Sequence, residues 1–199
     1  MAMLITAIPL LGFFISIVVS GYVSAYMMDV IVATADGETE LPDLPGFTDF
    51  GSDVLYPLLL VVGTGIFCLL PAIILWVVGL AAGYAPPGLL WKFLLVVSAL
   101  YAPMAFTAVA LFRSLAALNP AVVLPAMSKV GLEYVTACVL LALVVAGRTL
   151  IGKIMPGNVL LRPLIEAPVG LYFLAVEMHI LGLMYYTNRD KLGWFRPRG

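Results

Sequence analysis

The chain has 199 residues, 63% of them hydrophobic and 11% charged, with a mean hydropathy of +1.13 and a formal net charge of −1. Soluble domains carry roughly 25% charged residues, so this composition excludes a water-soluble globule. The near-neutral balance leaves no basic stripe to neutralise phosphates, which argues against nucleic acid as a partner.

A bilayer core of about 30 Å needs roughly 20 apolar residues wound as helix. Five runs qualify, at 4–33, 54–82, 89–112, 131–150 and 164–186. They are continuous rather than alternating, which excludes a closed barrel. The expected fold class is therefore an all-α membrane protein, a single polytopic domain over residues 1–199 whose first solvent is the lipid bilayer. The N-terminal run lacks a basic flank and a small-residue cleavage site, and reads as a retained span rather than a signal peptide.

In the first run, Gly12, Ser16, Ser20 and Ser24 recur at every fourth position, with Gly21 and Ala25 alongside. That spacing predicts a helix-packing stripe where a second backbone can approach closely. Between Asp29 and Asp53 lie seven of the chain's eleven carboxylates, and the first basic residue of the chain is Lys92. The connector itself, residues 34–53, carries Asp36, Glu38, Glu40, Asp43, Asp49 and Asp53, punctuated by Gly37, Pro42, Pro45-Gly46 and Gly51. Its prolines, with Phe47 and Phe50, suggest a docking surface for a partner or for the chain's own basic tail. The D-x-D-x-D-G spacing of a calcium loop is absent.

Ser52 or Asp53 is expected to cap the second helix, with Pro57 early in it and Pro71 kinking it at mid-span. Trp91-Lys92 anchors the third helix at an interface, and Arg113 ends it. Residues 114–130, broken by Pro120 and Pro125, read as a re-entrant or surface-lying segment. The fourth helix starts near Gly131 with Glu133 in its first turn. Residues 148–163 are basic and amphipathic and are expected to lie in the interface. The fifth helix ends in Tyr185-Tyr186, and the tail 187–199 carries Arg189, Lys191, Arg196 and Arg198 around Trp194 and Phe195. Four cations facing six carboxylates predict that this tail docks on the connector.

No sequence motif of a metalloprotease, redox dithiol, serine hydrolase or P-loop occurs, so no catalytic, cofactor-binding or metal-ligating residue is assigned. Cys68 and Cys138 sit apart in apolar runs and read as small buried hydrophobes. Glu166, Glu177 and His179 are polar groups within or beside the last span, where an ionisable residue is a functional candidate by default. Glu166 and Glu177 are three turns apart and share a face with Gly170, whereas His179 lies about 200° round from Glu177. Glu177 and His179 are therefore not an acid–base pair on one face.

With five spans, one side holds Arg113, Lys129, Arg189, Lys191, Arg196 and Arg198, and the other holds Lys92, Arg148, Lys153 and Arg162. The excess predicts a cytoplasmic connector and C-terminus.

Gly21-Tyr22 with Tyr26, then Asp36-Gly37-Glu38, Leu41-Pro42-Asp43, Asp53, Pro57 and Pro71, resembles a group of uncharacterised bacterial and archaeal polytopic membrane proteins. Their pattern runs GY, GE, LPD and a span ending in proline. Asn119-Pro120, Tyr134, Leu181-Gly182-Leu183 and Asp190 through Trp194 fit the same group. More remotely, the five-helix layout is similar to that of Yip-type membrane-organising proteins. The chain departs from the group at Met27-Met28-Asp29, where basic residues are usual. The resemblance implies a fold and no activity.

These features point to a non-catalytic protein of the bacterial inner membrane, an accessory or scaffold subunit that contacts other membrane subunits or itself. The alternative is a small transporter or channel using Glu177 and Glu166; an intramembrane enzyme ranks third.

Overall fold

In the computed structural model, residues 2–38, 40–46, 49–84, 88–154 and 161–194 are described, with side chains from residue 12 in the first helix and residue 165 in the last. The fold is an all-α membrane fold, 89% helical, with no strand among the described residues. Its helices are α1 (Ala2–Asp36), α2 (Tyr56–Ala81), α3 (Gly88–Phe112), α4 (Pro120–Val130), α5 (Leu132–Ile154) and α6 (Leu161–Leu192). All but α4 are long and apolar enough to cross a membrane.

Several ends differ from the sequence expectation. α1 continues through Asp36 and stops because Gly37 adopts a left-handed conformation, φ +88°. Gly37 N–H bonds to Thr34 C=O at 3.0 Å and Glu38 N–H to Ala33 C=O at 3.0 Å, the paired bonds of a glycine-terminated helix. α6 runs to Leu192, so residues 187–192 of the expected tail are helical. Of the stretch 148–163, residues 148–154 complete α5 and 161–163 open α6; residues 155–160 lie outside the described residues.

The cap of the second helix also moves, to Asp49. Its carboxylate accepts from Gly51 N–H at 3.0 Å, and the Ser52 hydroxyl stands 3.2 Å from it while lying closer, at 2.8 Å, to the Asp53 carboxylate that takes its one proton. Asp53 reaches back to accept from Asp49 N–H at 2.9 Å, so each end of the turn satisfies the other, as in a capping box. The turn Gly51–Leu55 is a wide π turn leading directly into α2. Pro57 has no N–H to give Asp53 C=O, so a regular ladder would be interrupted here. Instead Tyr56 N–H reaches Gly51 C=O across the wide turn.

Packing is organised by three pairs. α1 and α6 run parallel: Thr34 meets His179, and Gly37 lies under the Tyr186 ring. They approach very closely at Gly182, where a Cβ would stand 2.8 Å from Ile31 C=O. α2 and α3 form an antiparallel hairpin, with Tyr56 O–H donating to Arg113 C=O and the Phe67 and Tyr101 rings 6.3 Å apart further in. α5 runs antiparallel to α6, from Glu133–Lys191 to Gly147 beside Phe173.

The 3₁₀ turn Leu115–Leu118 folds back beside the α2–α3 hairpin. Leu115 abuts Gly63, and Tyr101 O–H donates to Leu118 C=O at 2.5 Å. The core joins Met28 and Ile31 of α1, Met104 and Val109 of α3, Val123 of α4, and Leu181 and Met184 of α6. α5 contributes Tyr134 and Ala137, while most of its apolar side chains point outward.

Candidate functional site

Two isolated charges meet where α1 and α3 converge. Asp29, set between Met28 and Val30 on α1, receives Arg113 from the end of α3 at 2.5 Å between Nη2 and Oδ1. The side chains are 34% and 40% exposed, a half-buried pair rather than a surface one. Arg113 Nη1 also lies 3.9 Å from Met28 Sδ. Its backbone is left-handed, φ +49°, a conformation that costs a non-glycine residue about 1 kcal/mol or more. Tyr56, which donates to its carbonyl, and Asp29, which takes its guanidinium, hold that strained residue from both sides.

Beside the pair is an open cleft of about 360 Å³, lined by Ala25 and Asp29 of α1, Pro45 and Gly46 of the connector, Ser52, Asp53 and Pro57 at the start of α2, and Arg113. Neither Asp29 nor Arg113 belonged to the candidate site read from sequence. Each was visible there as a lone charge at the edge of an apolar run. Their pairing depends on how α1 and α3 pack, which no local pattern encodes.

The expected residues divide. Of the small-residue stripe, Ser24 is buried, while Gly12, Ser16 and Ser20 are exposed. Within the chain the close approach passes to Gly21, where a Cβ would stand 2.5 Å from Val54 C=O. Ser16 and Ser24 return their hydroxyls to the helix, donating to Gly12 C=O at 2.8 Å and Ser20 C=O at 2.7 Å. In the connector, Asp36, Glu38, Glu40, Asp43 and Asp49 are exposed and Asp53 is half-buried.

Docking of the tail on the connector is corrected for Lys191. Lys191 pairs with Glu133 on α5 at 2.6 Å, and Arg189 lies over the Tyr186 ring at 5.1 Å. Because α6 stays helical to Leu192, these side chains project from its own flanks: Lys191 meets α5, and Arg189 stays over a ring of α6 itself, three residues back. Trp194 turns inward, with its ring 5.8 Å from that of Tyr185 and 5.5 Å from that of Phe112. Arg196 and Arg198 lie outside the described residues, as do Phe47 and Phe195.

Glu177 and His179 point to different neighbours. His179 Nδ1 is 3.0 Å from Thr34 Oγ1, which ties α6 to α1. Glu177 is half-buried, and its Oε1 is a buried oxygen with no hydrogen-bond partner among the described residues. The cation whose charge acts on it is Arg148 of α5. Arg148 reaches α6 at Gly170, where a Cβ would stand 3.8 Å from its Nη2. Glu166 is exposed on α6. Among the described residues no cluster of His, Cys, Asp and Glu could hold a metal ion.

No family model matches the chain, and no curated protein and no solved structure matches it either. What fold and site define is a class: a multi-pass α-helical membrane protein, with a half-buried ion pair and a polar cleft where its helices converge.

Proposed function

We propose that the chain is a non-catalytic accessory or scaffold subunit of a larger assembly in the bacterial inner membrane. The observation that carries this reading is the outward face of α1. Gly12, Ser16 and Ser20 keep their four-residue spacing and stand exposed, because the chain's own close packing falls on Gly21, Ser24, Ala25 and Met28 instead. In lipid there is no hydrophobic drive to bring helices together, so close approach at small residues is what a second helix needs. The partner is another membrane subunit or a second copy of this chain. The acidic connector, exposed beyond α1, is the second contact surface, facing the cytoplasm with the C-terminus.

Purification through an affinity tag in mild detergent tests the reading. A discrete membrane chain should co-purify in fixed stoichiometry and be lost from Ser20→Leu. A monodisperse single copy obtained from native-level expression would refute it.

A second reading is favoured by one observation, the Oε1 of Glu177, which has no hydrogen-bond partner among the described residues and lies inside a span with Arg148 nearby. A small transporter or channel would use such a group for ion or proton handling, together with Glu166. Loss of function in a correctly assembled Glu177→Gln variant would decide for it.

A further inference from the structure

The connector carries a repeat as well as a charge. From Glu40 the sequence reads Glu-Leu-Pro, Asp-Leu-Pro, an acidic, apolar and proline triplet written twice. Residues 41–46 form neither helix nor strand. Pro42 and Pro45 fix their own φ near about −65° and hold the residues before them, Leu41 and Leu44, in extended backbone. A chain so restrained is a polyproline II ribbon of about three residues per turn, so side chains three apart share an edge.

Burial in the structure keeps that period. Pro42 and Pro45 are half-buried, whereas Glu40, Leu41, Asp43 and Leu44 are exposed. Pro45 lines the cleft with Ala25 and Asp29, so the proline edge is the one laid on the body of the protein. The leucine edge faces out, with Leu41 64% and Leu44 71% exposed. Both lie between the end of the first span at Asp36 and the start of the second at Gly51, so the lipid around a span does not account for their exposure. Apolar side chains gathered on one exposed edge mark a contact surface.

Charge decides what covers that edge. The connector, residues 34–53, has six carboxylates and no Lys or Arg, so an anionic membrane surface repels it. Of the chain's own cations near the end of α6, Lys191 is held by Glu133 and Arg189 lies over Tyr186. We propose that Leu41-Pro42-Asp43-Leu44-Pro45 is a recognition segment for a soluble protein domain, whose apolar groove takes Leu41 and Leu44 and whose basic rim meets Glu40 and Asp43. A ribbon already set by two prolines loses little conformational entropy when it docks. The inference rests on the scaffold reading in taking the connector as a contact surface. That reading is itself decided at Ser16 and Ser20 of α1, so the two can fail separately.

The test places a photocrosslinking residue at Leu41 or at Leu44 of the full chain, in cells expressing it at its native level. The expected result is one adduct with the same soluble protein from both positions. That protein, identified by mass spectrometry and purified, is then titrated against the full chain in nanodiscs. Its affinity should fall about tenfold for the double variant Glu40→Lys, Asp43→Lys, and at least about tenfold for Leu41→Ser, Leu44→Ser. Thermal unfolding of the chain should be unchanged in both double variants, because all four side chains are exposed. Lipid adducts alone would make the membrane surface the occupant and overturn the proposal. An adduct within the same chain or with a second copy would overturn it too, as would the absence of any adduct. So would a soluble protein whose binding ignores either double variant.

Discussion

Asp29 and Arg113, 84 residues apart in sequence, meet at 2.5 Å and join the end of the α2–α3 hairpin to the middle of α1's packed half. Arg113 is at once the end of α3, a left-handed residue and an acceptor for Tyr56 through its carbonyl. Removing its partner therefore loosens a junction among three helices.

A double-mutant cycle with Asp29→Asn and Arg113→Gln measures this. Exposed pairs couple by about 0.2–1 kcal/mol, and charged hydrogen bonds contribute about 1.5–3 kcal/mol. A pair about one third exposed should fall between, near 1 kcal/mol in detergent unfolding. Strictly additive single effects would show the two charges to be independent.

Packing against α1 gives a second prediction. Gly21→Ala places a Cβ 2.5 Å from Val54 C=O, a backbone atom that cannot rotate away. It should cost about 1–3 kcal/mol, as overpacking does. Ser20→Leu, on the exposed side, should leave the isolated chain within about 0.5 kcal/mol of wild type and act on assembly instead. Thermal unfolding of the purified chain separates the two. Equal destabilisation would place Ser20 in the internal seam.

These contrasts show what the sequence could and could not convey. Five spans were legible because a bilayer demands length and continuous apolarity, both local properties. The four-residue spacing on α1 was legible too, but not which neighbour used it: Gly21, one residue from Ser20, takes the internal contact because Val54 packs there. Asp49 was missed as the cap because Ser52 and Asp53 are equally good capping types; the reciprocal bonds among the three decide it. Net charge alone points Lys191 at the connector, whereas the α5–α6 hairpin brings it to Glu133.

Trp194 supplies a third prediction. Stacked on Tyr185 and packed on Phe112, it ties the chain beyond α6 to the end of α3. Trp194→Ala should destabilise by about 2–3 kcal/mol, less than a fully buried aromatic because Trp194 is half-buried. Arg189→Ala, which removes an exposed cation over Tyr186, should change stability by less than about 1 kcal/mol. If Trp194→Ala is silent in the same assay, its ring contributes to the interface with lipid and not to the fold.

Topology is tested by labelling Glu38→Cys and Asp190→Cys in a background without Cys68 and Cys138. Both positions are exposed, on the connector and near the end of α6. An impermeant thiol reagent should reach both from the cytoplasmic side. Labelling of both from the outside would invert the orientation, and labelling from opposite sides would contradict five crossings.

The scaffold reading rests on the outward face of α1, and a photocrosslinker placed there tests it most directly. Incorporated at Ser16 or Ser20, it should yield one discrete protein adduct, with a second copy of this chain or with another membrane subunit. The same probe at Leu59, an exposed apolar position on α2, should give lipid adducts. Lipid adducts alone at Ser16 and Ser20, from cells expressing the chain at its native level, would contradict the account.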